Sequence, residues 1–402
     1  MCAILSDYIG LPFICTSQHT ANCIEYSDKA DSTSFTIYDY GLLNDDDIKP
    51  YNIDDVAIWE DTYIPFLAPP GFRLPFDIFS ALFYYLTHYD AYFAYEADIH
   101  GRIRKEDTIA FKHNNFKKPV VEYWIKKFVA ILNDYFHLNI ILPHKYEVNL
   151  TMDVDHYSLI QQRGFLGNIK GKIYSRDYPI RLLKKQGWIE DNDPFSIFKY
   201  LGKNHPSIQY FLLLQSGTHN SINNIDSKYI QHKFSSSGID NEKIGIHYSY
   251  QSSFSNSFAT ENAIFYHSFS VYPKKSRAHF LRYFMPQYFQ NILQIGIEED
   301  YSLGYYDTIG FITGMSRPYI WYDITQEQIT TLKVYPFAMM DATYLYYKNC
   351  VKKEIIAEII ELKKNIKEVE GLFTVLLHND ILSQAMEGEL FGEVIFFYIF
   401  SE

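Results

Sequence analysis

Between Tyr146 and Asp155 apolar and polar residues alternate for ten positions without a break. Tyr146, Val148, Leu150, Met152 and Val154 fall on one parity; Glu147, Asn149, Thr151, Asp153 and Asp155 fall on the other. A period of two belongs to a β-strand, so the apolar side chains share one face and both aspartates the opposite one. Downstream, strand-like runs are predicted at 209–214, 243–250, 294–297, 308–312 and 371–377. Helical spacing is predicted at 194–201, 261–269, 286–293 and 351–369, the last carrying Ile355, Ile356, Ile359, Ile360 and Leu362 against Glu and Lys. Strands alternating with helices predict an α/β fold, either a parallel barrel or an open sheet, with chemistry gathered at the C-terminal strand ends.

Upstream of this region the pattern differs. Residues 1–75 read as loop-rich, 76–92 as an aromatic helical segment and 118–137 as an amphipathic helix with Val120, Val121, Trp124, Phe128, Ile131 and Leu132 on one stripe. The turn at Pro143 and His144 sets an expected boundary between a domain at 1–145 and a second at 146–402.

Composition narrows the function classes. Lys and Arg total 36 and Asp and Glu 48, and a net charge of −12 argues against an electrostatically driven nucleic-acid binder. Cys2, Cys15, Cys23 and Cys350 form no C-x-x-C pair and read as reduced thiols. The N-terminus has no basic segment followed by an apolar core, and the longest apolar stretches fall short of the ~20 residues of a membrane span. A soluble, cytoplasmic protein is the expectation. The 36 tyrosines suit a sugar-stacking surface, and a biased genome would give the same excess.

Five strand ends deliver residues that can carry chemistry. Asp153 and Asp155, at i and i+2, point the same way with Cβ atoms roughly 7 Å apart. Such a pair resists double ionisation unless a cation lies beside it, so one carboxylate suits a metal and the other a base. His247 lies on the polar parity of its strand, where a neutral imidazole can ligate a transition metal, although a lone His is more often structural. Arg277 and His279 share parity in the next run, Glu298, Glu299 and Asp300 end an acidic one, and His378 closes a buried one.

In this order the motifs resemble those of the polysaccharide deacetylases of carbohydrate esterase family 4, in particular a bacterial branch with an added N-terminal α/β domain. The matching residues are Asp153-Val154-Asp155, Gly245-Ile246-His247-Tyr248-Ser249-Tyr250-Gln251-Ser252, Arg277-Ala278-His279-Phe280-Leu281-Arg282, Asp300-Tyr301-Ser302-Leu303-Gly304-Tyr305, Gly310-Phe311-Ile312-Thr313-Gly314 and Leu376-Leu377-His378-Asn379. Asp193-Pro194-Phe195, the stretch 336–341 and the N-terminal runs Asp77-Ile78-Phe79 and Asp98-Ile99-His100-Gly101-Arg102 add to the match.

The resemblance implies a distorted (β/α)7-type barrel after a smaller α/β domain, and a catalyst of sugar deacetylation. It implies Asp153 as general base and Asp155 and His247 as ligands of one divalent metal, zinc by preference. Arg277 would sit against Asp153, Asp300 would orient Arg277, and His378 would be the general acid. The sequence departs from the family at Gln251, where a second metal-binding His stands, and at Tyr248, where this branch has Pro. His279, on the parity of Arg277, is the candidate third ligand. Three functions stay open on this reading: a metal-dependent deacetylase of N- or O-acetylated sugars of a bacterial surface polysaccharide or its precursor, a non-catalytic carbohydrate-binding descendant, and an assembly component of a surface-glycan pathway.

Overall fold

The alternating segment folds as a strand in the computed structural model of the chain, which describes residues 1–17, 23–93, 95–155, 185, 187, 196–215, 230–232, 234, 238–252, 257–348, 350–382, 385–386 and 389–401. The expected run Asp193-Pro194-Phe195 lies outside the described residues. By internal contacts the chain forms two units. One comprises Met1–Glu147, Gly310–Pro336 and Asn365–Leu372; the other comprises Val148–Ile309, Phe337–Lys364 and Phe373–Glu402.

The first unit is built on aromatic packing. Helix α1 (Cys2–Ile9) precedes two short sheets, a parallel pair β1 (Ile24–Ser27) and β2 (Phe35–Tyr38), and a hairpin β3 (Ala57–Trp59) and β4 (Thr62–Ile64). The aromatic run 76–92 becomes a helix only from α2 (Ile78–Leu86), because Asp77 stands at the N-cap and accepts from the backbone N–H of Ser80 at 3.0 Å. After α3 (Ile109–Lys112), helix α4 (Val120–Phe136) buries Val120, Val121, Trp124, Ile125, Phe128, Val129 and Leu132. That is the i, i+3, i+4 stripe of a helix packed on a core. Trp124 is fully buried, edge-on to Phe76 and Tyr85, and its indole donates to Thr62 Oγ1 at 2.8 Å.

The expected strand at 308–312 is not one. The apolar run is buried, as its composition requires, but Gly310 takes φ 126°, and a Cβ there would lie 2.1 Å from the Phe116 carbonyl oxygen. Phe311 donates its N–H to that carbonyl, so this backbone docks on a loop and not on a sheet. An antiparallel hairpin, β10 (Tyr319–Asp323) and β11 (Gln328–Val334), follows. Glu122, in the first turn of α4, accepts the N–H groups of Ser316 and Arg317 at 2.9 and 3.2 Å and holds this stretch.

The second unit carries a run of parallel strands in the order β9-β8-β7-β6-β5-β13-β12. These are β5 (Glu147–Val154), β6 (Gln209–Leu212), β7 (Ile244–Tyr248), β8 (Lys275–Ala278), β9 (Glu299–Asp300), β12 (Met339–Met340) and β13 (Leu372–His378). Successive pairs from β5 to β9 are parallel, as are β12 and β13. Helices α5 (Ser196–Asn204), α6 (Phe258–Phe269), α7 (Gln287–Gln294) and α8 (Lys352–Glu368) lie between them in sequence. The expected strand at 294–297 falls instead on the end of α7 and the turn at Gly296 (φ 89°), and β9 begins only at Glu299. After β9 and around β12, Phe337 N–H donates to Leu303 O and Thr343 Oγ1 to Tyr306 O, both at 3.0 Å. Among the described residues no helix is long and apolar enough to cross a membrane, and all four cysteines are free.

Burial pushes the Glu122 carboxyl up to about 7 against the hydrogen bonds it accepts. A carboxyl whose folded value exceeds its unfolded one contributes stability below the unfolded value and loses it as pH rises through the folded one. Melting temperature should therefore fall as pH rises from about 4.5 to about 7 and level off above that, and Glu122→Gln should flatten the fall. An equally steep fall in the variant would refute the assignment.

Candidate functional site

Because the strands are parallel, their C-terminal ends all open on one side, and the polar residues of the motifs arrive there together. Arg277, on β8, is fully buried. A guanidinium so placed is costly unless each donor is used. Its Nη1 donates to Asp153 Oδ1 at 2.7 Å, Nη2 to Thr151 Oγ1 at 2.8 Å and Nε to the Tyr301 carbonyl at 2.9 Å. Its flat face lies 4.5 Å from the centroid of the Phe211 ring.

Asp300 is not where the resemblance put it. It does not reach Arg277 but accepts from the hydroxyls of Ser276 at 2.7 Å, Tyr288 at 3.0 Å and Ser302 at 3.0 Å, and from the Ser302 N–H at 2.9 Å. Burial pushes its carboxyl up from the ordinary value. The parallel register sets Asp300 beside Ser276, one residue short of Arg277, so the carbonyl of Tyr301 meets the guanidinium instead.

Asp155, His247 and His279 offer ligand atoms that all lie within 4.8 Å of one another. His247 Nε2 stands 3.3 Å from Asp155 Oδ1 and 3.4 Å from Asp153 Oδ2, and His279 Nε2 stands 3.7 Å from Asp155 Oδ2. These separations exceed the ~2.7–2.9 Å of a direct charge-assisted hydrogen bond. They approach the ~3.3 Å between two ligands held about 2.0–2.1 Å from a tetrahedral zinc ion. His247 Nδ1 faces the Arg277 carbonyl oxygen at 3.1 Å, which makes it the protonated nitrogen and turns the lone pair of Nε2 toward the carboxylates. That buried Nε2 makes no hydrogen bond. Two imidazoles and a carboxylate suit a divalent transition metal, with room for a fourth ligand.

Electrostatics favours the ligand form of Asp155 and of His279 and opposes that of His247. Burial opposes the charge on Asp155, but His279 and His247 hold its carboxyl well below the usual range. Burial also lowers His279 and outweighs the pull of Asp155, so this imidazole stays neutral. For His247 burial is outweighed by Asp153 and Asp155, which raise it, and a metal would compete with that proton. Gln251, where the sequence resemblance expects a second His, is half-buried beyond β7, and His279, directly after β8, joins Asp155 and His247 in the group.

His378, at the end of β13, is bound by a residue whose role the sequence reading missed. Asp341, fully buried just after β12, accepts from His378 Nδ1 at 2.6 Å and from the His378 backbone N–H at 2.7 Å. Burial works against the imidazolium, but Asp341 overrides it and pushes His378 up to about 10, with Asp155 and Asp153 adding to the effect. Asn379 N–H donates to the Asp153 carbonyl at 3.3 Å, so β13 delivers His378 next to the strand that carries the two aspartates. The side chains of Asp155 and His378 are 17% and 16% exposed against 3% for Asp153 and 1% for His247, so solvent reaches the group from the Asp155 and His378 side.

The first 137 residues match a family of unknown function, DUF7033. No curated protein matches the chain. Among solved structures the chain is similar to a Mycobacterium smegmatis protein described as a polysaccharide deacetylase, at 12% identity and a TM-score of 0.42 over 66% of this chain and 87% of that one. It is also similar to a polysaccharide deacetylase of Bacillus cereus, at 11% identity and a TM-score of 0.26 over 58% and 80% of the two chains. Likeness at this level carries no weight for the activity, which rests on the site itself.

Protein purified without a polyhistidine tag should bind one zinc ion per chain. Asp155→Ala, His247→Ala and His279→Ala should each weaken binding by more than the roughly 10- to 100-fold typical of outer-shell changes, and Gln251→Ala should leave it near wild type. Isothermal titration checks this; loss of binding in Gln251→Ala with retention in His279→Ala would reverse the assignment of the third ligand.

Proposed function

We propose that the second unit is a barrel-type, metal-dependent deacetylase that hydrolyses acetyl groups from N-acetylated (or O-acetylated) sugars of a bacterial surface polysaccharide or its precursor. The observation that carries this reading is the separation of tasks around one ligand group. A carboxylate fixed by an arginine stands on one side, and a histidine kept protonated by a buried aspartate stands on the other.

Asp155, His247 and His279 would hold the ion. When bound, a divalent ion supplies a Lewis acid for the acetyl carbonyl and makes water more acidic. Asp153 has one oxygen committed to Arg277 and turns the other, Oδ2, toward His247. That free oxygen is the general base, taking a proton from the attacking water. Arg277 fixes its direction, and Asp300 acts at one remove by holding the strand end whose Tyr301 carbonyl receives Arg277. His378 carries the proton that the leaving amine needs, because an expelled amide nitrogen is too basic to depart without one. The products are acetate and the free amino sugar. With a net charge of −12, a neutral glycan suits this chain better than a polyanion.

A second reading, a carbohydrate-binding descendant without catalysis, is favoured by Gln251 alone. It leaves unexplained why a binder would keep a buried aspartate under His378, since a buried carboxylate costs stability unless its pairing is used.

Acetate release from an N-acetylated oligosaccharide, followed with zinc-loaded protein, tests the proposal. Asp153→Asn and His378→Ala should each lower turnover by about 10²–10⁴ with zinc affinity retained. Asp341→Asn removes the charge that raises His378, so the alkaline limb of the rate profile should move to lower pH by about a unit or more. If that limb stays where it is in the wild type, His378 is not the acid.

A further inference from the structure

The three residues after His247 are each latched to another element. Tyr248 donates its hydroxyl to Asn262 Oδ1 at 2.7 Å. Ser249 donates both its N–H, at 2.9 Å, and its hydroxyl, at 2.7 Å, to Glu261. The Tyr250 carbonyl accepts from Arg282 Nη1 at 2.7 Å, and Arg282 follows His279 by three residues. Two further hydroxyls, of Ser252 and Ser257, close on Glu261 Oε1. Glu261 is fully buried, with no cation among these partners. A buried carboxylate is tolerated when donors fill its oxygens, and here one backbone N–H and three serine hydroxyls do so. It also lies in the first turn of α6, where the helix dipole favours negative charge.

The consequence is geometric. His247 is held on one side by its Nδ1 contact with the Arg277 carbonyl, and the chain beyond it is held by consecutive residues of α6. Were the 248–252 turn free, the end of β7 would have one fixed edge, and Nε2 could wander from the point it shares with His279 and Asp155. Ligand groups that must meet within a few tenths of an ångström depend on such outer supports.

We infer that Glu261 is a positioning residue for the metal centre: it pins the loop after β7 so that His247 and His279 present their Nε2 atoms to one ion. This rests on the zinc-site reading above and assigns a role to Glu261, a residue outside all of the quoted sequence motifs.

Zinc chloride titrated into the full chain tests it. Glu261→Ala should weaken zinc binding by about 10- to 100-fold, whereas Glu261→Gln, which keeps one acceptor and lets the serine hydroxyls turn to accept, should stay within about threefold of wild type. Phe265→Ala empties a buried position on the same helix without touching the turn, and it should lower the melting temperature while leaving zinc affinity unchanged. If Glu261→Ala fails to fold, Ser249→Ala combined with Ser252→Ala removes two of its three hydroxyl donors from the other side. Wild-type affinity in the Glu261→Ala or double-serine variant, or an equal loss in Phe265→Ala, overturns the inference. A wild type that takes up no zinc overturns the site reading and this inference together.

Discussion

The arrangement of the second unit depends on the burial of one guanidinium. Arg277 uses its side chain to fix Asp153, Thr151 and the Tyr301 carbonyl, and its own carbonyl to fix His247. The proposed base, Asp153, and a proposed metal ligand, His247, are thereby positioned by a single residue on the strand beside β7. The surroundings are shaped to accept it. Phe211 lies against the guanidinium, and Gly245 has to be glycine, because a Cβ there would stand 2.6 Å from the Phe211 ring and 2.9 Å from the Lys275 carbonyl. Breaking a buried pair of this kind by removing one partner costs about 3–5 kcal/mol, since the other charge is left without compensation.

Much of this was legible in the sequence. The ten-residue alternation gave β5 and located both aspartates at its end, and parity alone placed His279 beside Arg277. What the alternation could not show was that the second face is buried as well. Thr151 and Asp153 are as buried as Leu150 and Met152, because the hydroxyl of Thr151 reaches Val375 O and Arg277 while Asp153 takes the guanidinium. Those partners lie more than a hundred residues away in the chain, where no local period can show them. Asp341 was hidden for a different reason: β12 is two residues long, too short for any periodicity, and the use of Asp341 appears only when β13 pairs with it. Asp300 shows how one residue of register decides a role, since hydroxyls and not the arginine stand opposite it.

On the proposed function, the grouping lets one site hold an ion and move protons through separate residues. Asp155 and the two imidazoles have the donor types and spacing for a metal, whereas Asp153 and His378 have their own anchors, Arg277 and Asp341. A substitution in one anchor should disturb one proton transfer and spare the ion. Phe280 and Leu281, directly after His279, take left-handed φ values of 59° and 54°. Each such residue costs about 1–3 kcal/mol, and strain of this kind persists where surrounding structure holds it, as the Arg282 bond to Tyr250 does here.

The account turns on whether two histidines from adjacent strands share one ion. X-ray absorption at the zinc edge of the loaded, untagged protein reads this directly, because imidazole rings give a distinct outer-shell scattering pattern. The account predicts two imidazoles with oxygen ligands completing the shell, and one imidazole fewer in His279→Ala. A wild-type shell with a single imidazole, or a His279→Ala spectrum unchanged from wild type, would contradict it.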